Sequence, residues 1–452
     1  MVQYKLGELF SGPGGLSYGA MKAKIEINGE LHEIVHEWAS DYDEHSCKTY
    51  SQNICGSAPG LISESVHHKD VAELDIKTLG KINILAFGFP CNDFSLVGES
   101  KGMDGNFGML YKYGVKALEQ YEPEAFVAEN VSGISSSNDG DAFTQILREL
   151  RNAGEHGYEI TSELHLFEHL GVPQNRHRYI IVGIRKDLKK KYLMPANTHA
   201  SPVTALQALE NPPQHLVDFG FETPEVPDDD HHNIRDPDPV VKRRLQKIPE
   251  GQNAWCDEVE SDPELRINTK TKLSSIYRRL DRNKPAYTVT GSGGGGTHMY
   301  HWEEPRALSN REKARLQTFP DSYQFSGGIM SVRKQIGMAV PPYGAKLVFE
   351  ALLVTLAGAP TLKLMSTVEP KGSKSWLYQI KPSQQQLHDD SVLKALKNGR
   401  IMVILPSISS SEIESTAEQI GGWLRRGNKV QMMVTNAWKH GMDPDVKQKL
   451  SE

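Results

Sequence analysis

Short apolar runs alternate with amphipathic stretches through the first 185 residues of the chain. The runs that predict strands are Tyr4–Phe10, Ile34–Ala39, Ile82–Phe87, Ala125–Ala128 and Tyr179–Ile184. The stretches that predict helices are Glu44–Asn53, Tyr111–Tyr121 and Ala142–Asn152. Strands that alternate with helices predict an α/β fold, in which a mixed, mostly parallel sheet carries helices on both faces.

The pattern changes after residue 185. From about Lys186 to Lys284 apolar periodicity is weak, and Pro, Asp and His are frequent. Within this stretch, Asp228–His232 predicts an exposed loop. The elements predicted next are a flexible turn at Gly291–Gly296 and helices at Ser309–Gln317 and Pro341–Leu356.

The composition changes again after Gly358. Strands are predicted at Trp376–Ile380, Ile401–Leu405 and Lys429–Val434, with a helix at Glu412–Arg426. These elements predict a small additional α/β unit whose role the sequence does not indicate. The predicted units of the chain are residues 1–185, 186–300, 301–358 and 359–452.

Charge is distributed unevenly along an ordinary globular composition. The net charge of -6 over 452 residues argues against a protein that coats nucleic acid through bulk basicity, although a local basic groove remains compatible. Pro202–Asp230 contains seven acidic residues and no Lys or Arg, whereas Arg266–Lys284 contains seven Lys or Arg and one acid. The electrostatic character of the chain therefore changes sharply within its middle third.

The cysteine pattern indicates a reduced protein. Four cysteines, Cys47, Cys55, Cys91 and Cys256, are too few for a disulfide framework, and the absence of a C-x-x-C pair argues against a metal site. The N-terminal residues do not resemble a secretory signal, and no apolar run reaches the ~18 residues that span a bilayer. We therefore expect a cytoplasmic protein with no membrane association and no metal.

Three groups of residues at predicted strand ends suit an adenosine-type ligand. The loop Phe10–Gly15 follows the first strand, and its glycines allow the backbone to approach a ligand. Asp41 and Tyr42 follow the second strand, where a carboxylate can bind ribose and an aromatic ring can stack on a purine. Asp70 and Val71 suit an adenine amino group. Each group alone is equally compatible with an ordinary turn.

Reactive side chains follow two further strands. Cys91 lies in the Gly- and Pro-rich loop after Ile82–Phe87, where a thiolate can act as a nucleophile. Glu129 and Asn130 end another apolar run and suit proton or hydrogen-bond donation, or a helix cap. Burial of Cys91 as a small apolar residue is the alternative to catalysis.

An arginine pair precedes the strand Tyr179–Ile184. Period-two spacing places Gln174, Arg176 and Arg178 on one face of an extended segment. Two guanidinium groups on one face suit phosphate or carbonyl recognition. A solvated, charged strand edge is the alternative.

Five motifs in order resemble the cytosine carbon-5 DNA methyltransferase family: FSGPGG, GFPCNDFS, ENV, QNRHR and QIGMAVPP. The resemblance covers roughly Lys5 to Leu356, apart from the divergent stretch between about 186 and 285. It implies a class I S-adenosylmethionine-dependent methyltransferase fold, with residues 186–300 as a smaller DNA-recognition domain. Three departures are Asn92 where Gln is frequent, Met338 where Asn is frequent, and Phe107 where Arg is frequent.

The resemblance also implies residue roles. The cofactor residues it implies are Phe10, Gly12, Gly14, Gly15, Asp41, Tyr42, Asp70, Val71, Pro90, Leu110 and Val340. The catalytic residues it implies are Cys91 as nucleophile, Glu129 as cytosine-binding acid, and Arg176 and Arg178 as active-site arginines. The cofactor implied is S-adenosyl-L-methionine, and the base that removes the carbon-5 proton is not identified.

A flipped-out cytosine in double-stranded DNA is the expected substrate, because a cysteine cannot reach carbon 6 inside a stacked duplex. The basic stretch Arg266–Lys284 is then the predicted site of phosphate contacts, with a solvated basic surface as the alternative. Within it, Arg278, Arg279 and Arg282 are the predicted DNA contacts. We expect a monomer, and the sequence leaves open a cognate restriction or defence-system partner. The alternatives are a tRNA cytosine methyltransferase of the same superfamily, a catalytically silent nucleic-acid-binding protein, and, more distantly, a Rossmann oxidoreductase.

Overall fold

The computed structural model describes most of the first 358 residues and three strands of the C-terminal region. The described residues are 1–27, 29–89, 109–134, 141–195, 201–222, 225–269, 272–292 and 297–358, with the backbone of 375–379, 400–405 and 429–434. The predicted site residues Pro90 and Cys91 and the predicted helix Glu412–Arg426 lie outside these ranges, as does most of the predicted turn Gly291–Gly296.

The elements are numbered in chain order. The strands are β1 (Val2–Leu9), β2 (Lys24–Ile27), β3 (Glu30–Asp41), β4 (Val66–His68), β5 (Ile84–Gly88), β6 (Ala125–Val131), β7 (Tyr158–Leu166), β8 (Gln174–Asn175), β9 (His177–Arg185), β10 (Ala286–Tyr287), β11 (Ser375–Gln379), β12 (Arg400–Leu405) and β13 (Lys429–Val434). The helices are α1 (Gly15–Lys22), α2 (Glu44–Ile54), α3 (Tyr111–Tyr121), α4 (Asp141–Arg151), α5 (Ala205–Glu210), α6 (Gln214–Phe219), α7 (Pro239–Lys247), α8 (Asp257–Glu260), α9 (Asn310–Leu316), α10 (Ile329–Met338) and α11 (Pro342–Leu356).

The central sheet is mixed and mostly parallel, as the sequence predicts. Its strand order is β2-β3-β1-β5-β6-β9-β7, and β4 pairs with β3. Strands β1, β3, β4, β5 and β6 are parallel to their neighbours within this group. Strands β2, β9 and β7 pair antiparallel.

Helices cover both faces of this sheet. On β5, Ile84 and Ala86 belong to an apolar core that includes residues of α1 and α11, whereas Leu85 and Phe87 belong to a second core that includes residues of α3 and α4. Successive side chains of a strand point to opposite faces. Burial on both faces therefore explains why β5 appears in the sequence as an unbroken apolar run.

The parallel direction of β1, β3, β5 and β6 places their carboxyl ends at one edge of the sheet. In open α/β sheets, ligands bind in the crevice at this edge. The loop Phe10–Gly15, Asp41, Gly88 and Glu129 all lie at these strand ends. The topology thus brings together four groups that the sequence singles out separately.

The stretch between β9 and α9 contains short helices that the sequence does not predict. A small apolar core formed mainly by residues 245–265 lies within it. Another core contains residues from both sides of the predicted boundary at 300, including Leu280, Trp302 and Phe319. The predicted exposed loop Asp228–His232 needs correction, because Asp229 pairs with the buried Arg311 and anchors the loop.

The C-terminal region contains a three-stranded parallel sheet, β11-β12-β13. Its strands lie within one residue of the predicted bounds. Among the described residues, one stretch, 329–356, is long and apolar enough to cross a membrane, but 89% of its most apolar window is buried within the protein. That stretch comprises α10 and α11, and burial of this extent is typical of core helices.

Candidate active site

A cavity of about 180 Å³ opens at the carboxyl edge of the central sheet. Its lining includes Phe10, Gly12 and Gly15 from the loop after β1, and Asp41 and Tyr42 from the end of β3. A Cβ at Gly12 would meet no atom within 4 Å, so the loop faces open space there. The geometry therefore leaves room for a ligand against the backbone of this loop.

Asp41 fixes the loop to the strand end. Its carboxylate accepts hydrogen bonds from the backbone nitrogens of Gly12 at 2.8 Å and Asp43 at 2.9 Å. Burial raises the pKa of Asp41, while these two hydrogen bonds act in the opposite direction. A buried, oriented acid beside a cavity suits recognition of hydroxyl groups.

Tyr42 presents its ring at the mouth of the cavity. The side chain is 62% exposed. Lys334 of α10 donates a hydrogen bond to the Tyr42 hydroxyl at 3.1 Å, and its ammonium lies 5.3 Å from the ring centroid. Lys334 also pairs with Asp43 at 3.7 Å. Sequence analysis did not identify Lys334, because the contact joins residues almost 300 positions apart.

Glu8 is a second buried acid on the cavity wall that sequence analysis missed. Its side chain is 2% exposed and accepts a hydrogen bond from Ser17. The Ser17 hydroxyl in turn accepts from Tyr50 at 2.7 Å. Burial raises the pKa of Glu8 to about 8. The available signal was an acidic residue inside a mainly apolar strand.

Four predicted cofactor residues do not line the cavity. Gly14 is the N-cap of α1 with a φ of 94°, so its role there is to allow the turn. Val71 and Leu110 pack in the same apolar cluster as Phe10, behind the cavity wall. Asp70 is exposed, and its carboxylate accepts from the backbone nitrogen of Ala72 at 2.9 Å.

Glu129 and Arg178 form an ion pair at the cavity. The Arg178 Nε lies 2.8 Å from the Glu129 carboxylate, and both side chains are largely buried. Both residues line the cavity from the adjacent strands β6 and β9. Next to Glu129, Asn130 donates to the carbonyl of Phe89 at 3.1 Å, which fixes the chain immediately before Pro90.

Arg176 was predicted to act together with Arg178, but its guanidinium has other partners. It is 1% exposed, and its guanidinium donates to the carbonyls of Val289, Gly337 and Ala339 at 2.8–3.1 Å. The residue lies between β8 and β9 and its guanidinium serves these backbone groups, whereas that of Arg178 pairs with Glu129. Arg176 thus lines the same cavity as Arg178, but the two guanidiniums have different partners.

The predicted DNA contacts have three different environments. Arg278 is exposed, with its guanidinium 4.8 Å from the Tyr287 ring centroid. Arg282 is partly exposed and pairs with Glu250 at 3.1 Å. Arg279 needs correction as a phosphate contact, because it is 6% exposed and donates to three backbone carbonyls within the protein.

The chain is similar to known proteins over most of its first 358 residues. The family model described as C-5 cytosine-specific DNA methylase matches residues 4–353. Type II methyltransferase M.BbvI of Brevibacillus brevis is 51% identical over 364 residues, which cover 79% of this chain and 92% of the relative. Type II methyltransferase M.NgoFVII of Neisseria gonorrhoeae is 35% identical over 359 residues, covering 77% and 86% respectively. A solved E. coli prophage protein, a candidate DNA modification methyltransferase, shares the fold with a TM-score of 0.56 at 22% identity, covering 78% of this chain and 99% of its own.

The chain belongs to the C-5 cytosine-specific DNA methylase family. It is a DNA (cytosine-5-)-methyltransferase with a class I methyltransferase fold, and S-adenosylmethionine is its methyl donor. The cavity fits this donor, because it combines the side-chain-free loop at Gly12, the buried Asp41 carboxylate and the exposed Tyr42 ring. The predicted family, enzyme class and cofactor are confirmed, and the oxidoreductase alternative is wrong.

Proposed function

We propose that the chain methylates a cytosine flipped out of a specific duplex sequence, through a covalent adduct with Cys91. The observation that carries this proposal is the Glu129–Arg178 pair on the same cavity as Gly12 and Asp41. An acid that can hold cytosine thus lies beside the groups suited to the methyl donor. A base inside a stacked duplex cannot enter such a cavity, so extrusion at a cost of a few kcal/mol is required.

The Cys91 thiolate supplies the electron pair that makes carbon 5 nucleophilic. Its sulfur forms a bond to carbon 6, and the electrons of the ring double bond become available at carbon 5. S-Adenosylmethionine, when bound, would supply the methyl group that carbon 5 takes up, and S-adenosylhomocysteine would be the leaving group that keeps the electron pair of the broken carbon–sulfur bond. A base then removes the carbon-5 proton, the double bond forms again, and the bond from carbon 6 to sulfur breaks to release the thiolate.

Glu129 and Arg178 stabilise the cytosine during these steps. Glu129 hydrogen-bonds the exocyclic amine and ring nitrogen 3, where charge develops when the thiolate attacks. Arg178 orients the Glu129 carboxylate and binds the carbonyl oxygen at ring position 2. Both groups are already oriented before charge develops on the ring, so they need no reorganisation in the transition state. Such preorganisation is the main source of electrostatic catalysis.

The segment 186–300 reads the DNA sequence in this proposal. Arg278 and Arg282 contact phosphates, and Arg282 exchanges its partner Glu250 for the DNA. Arg279 holds the segment together from inside. We further propose that the chain acts as a monomer in the cytoplasm. We also propose that it works beside a cognate restriction enzyme, because the similar proteins are named Type II methyltransferases.

The test is nucleoside mass spectrometry and bisulfite sequencing of DNA from cells that express the chain in a host without cytosine methylation. The parent chain should produce 5-methylcytosine at one sequence. Glu129→Gln should lower the rate of methylation about 10²- to 10³-fold, as expected for loss of one oriented transition-state group. Glu168→Gln is the matched control, because Glu168 is buried and hydrogen-bonded to His177 but does not line the cavity.

Two results would contradict the proposal. Full activity of Glu129→Gln would remove this residue from the site. Methylation of tRNA but not of DNA would support the tRNA alternative instead.

A further inference from the structure

Arg176 lies at a junction between two segments from distant parts of the chain. Its guanidinium donates to the carbonyl of Val289 at 3.0 Å and to those of Gly337 and Ala339 at 3.1 and 2.8 Å. Val289 lies at the end of the segment proposed to read DNA. Gly337 and Ala339 border the cofactor cavity. One buried cation therefore holds both segments in a single geometry.

Two buried glutamines extend this junction. The Gln174 side-chain oxygen accepts from the backbone nitrogen of Val289 at 3.0 Å. Gln317 donates to the carbonyls of Ile336 and Ala339 at 2.8 and 2.7 Å. Gln174 and Gln317 also hydrogen-bond to each other. The side chains form a network that joins the end of the recognition segment to residues 336–340, which end α10 and follow it and are called the cofactor loop here.

The two segments also touch without an intervening side chain. A Cβ added at Gly337 would collide with backbone atoms of Thr290 and Gly291. On the other side of the loop, a Cβ added at Gly15 would collide with the carbonyl of Val340. The recognition segment, the cofactor loop and the glycine loop after β1 are therefore in close contact in that order.

We propose that Arg176 is a positioning residue that couples DNA binding to cofactor binding, a proposal that rests on the proposed function. A buried charged donor that loses its acceptors is unfavourable, so the junction favours one arrangement of both segments. A ligand that fixes either segment therefore favours the arrangement that the other ligand needs. By linkage, each ligand raises the affinity of the other by the same factor.

The test measures how DNA changes the affinity for S-adenosylhomocysteine, the unreactive product of the methyl donor. Calorimetry is performed with and without a duplex carrying the sequence found methylated in cells. The parent chain should bind at least about fivefold more tightly when DNA is present, the lower end of ordinary coupling factors. In Arg176→Lys this ratio should fall toward 1, because an ammonium lacks the planar fork that reaches three carbonyls.

Arg279→Lys is the matched control. Arg279 is also buried and donates to three carbonyls, those of His301, Leu245 and Ile248. None of these groups lines the cofactor cavity. The control should lower the unfolding temperature as Arg176→Lys does. Its ratio of affinities, measured with the duplex at a concentration that saturates each variant, should stay at the parent value.

Gly337→Ala is a second variant that tests the same coupling and leaves Arg176 in place. It provides the test if Arg176→Lys does not fold. Its added methyl group forces Thr290 away from the cofactor loop, so the ratio should again fall toward 1. A ratio near 1 in a parent chain that methylates DNA would overturn the coupling, as would an unchanged ratio in the variants. A parent chain that neither binds nor methylates DNA would overturn the proposed function and the coupling with it.

Discussion

Gly15→Ala should displace the segment that closes the cofactor cavity. Gly15 is the first residue of α1, and both Gly15 and Val340 line the cavity. An added Cβ would lie closer than 3.0 Å to the Val340 carbonyl oxygen, whereas ordinary contacts begin near 3.4 Å. The obstructing atom belongs to the backbone, so Val340 cannot avoid the methyl group by a change of rotamer.

The size of the effect follows from the rigidity of the contact. The Val340 carbonyl must move by roughly 1 Å to reach an ordinary contact distance, and overpacking of this kind costs about 1–3 kcal/mol. This displacement destabilises the folded chain, and S-adenosylmethionine then binds against a cavity wall that has moved. If the bound complex carries a comparable loss, affinity for S-adenosylmethionine should fall about 5- to 150-fold.

Gly19→Ala distinguishes loss of affinity from loss of stability. Gly19 lies one turn further along α1, and its added Cβ would collide with the carbonyl of Pro342 in α11. Neither Gly19 nor Pro342 lines the cavity. Thermal unfolding should show similar destabilisation in both variants, and calorimetry should show weaker cofactor binding only for Gly15→Ala. Equal affinities in the two variants would refute this account of the cavity wall.

Three further predictions concern the cavity and the tail. Tyr42→Ala should weaken S-adenosylmethionine binding by about 1–3 kcal/mol through lost stacking; unchanged affinity in calorimetry would exclude Tyr42 as the stacking residue. Burial raises the pKa of Glu8 to about 8 from its ordinary 4.5, so the folded chain keeps a proton that the unfolded chain loses between these values. The stability from this group is complete below pH 4.5 and is lost as pH rises towards 8, by up to about 1 kcal/mol per pH unit; urea unfolding of Glu8→Gln should lack this decline, and a parallel decline would contradict it. Deletion of everything after Gly358 should leave methylation of short duplexes largely intact, and loss of activity in a folded truncation would show that the tail belongs to the catalytic unit.

The predicted bounds agree best with the structure for strands that are buried on both faces and for helices that bury one apolar face. Strands β5 and β6 have continuous apolar sequences because helices cover both sides of the sheet. Helix α3 has the predicted bounds because its apolar residues recur at helical spacing. Strand β7 escaped prediction because many of its side chains are exposed or half-buried at the edge of the sheet.

The parts of the site that could be predicted are those that depend on local sequence. A glycine loop, Asp41 and Glu129 each follow a strand, and parallel strands bring such ends together. The environment of Arg176 could not be predicted, because its partners Val289, Gly337 and Ala339 lie 113 to 163 positions away. The same holds for Lys334 beside Tyr42. Local periodicity carries no information about contacts at this range.

The covalent step through Cys91 is the central claim, and a duplex with 5-fluorocytosine at the target tests it most directly. Fluorine at carbon 5 cannot leave as a cation, so the enzyme should remain attached after methyl transfer. The adduct should survive denaturing electrophoresis, require S-adenosylmethionine and map to Cys91 by peptide mass. Cys91→Ser should not form it, because a neutral hydroxyl is a far weaker nucleophile than a thiolate. An adduct at Cys47, Cys55 or Cys256, or methylation at the normal rate by Cys91→Ser, would contradict the mechanism.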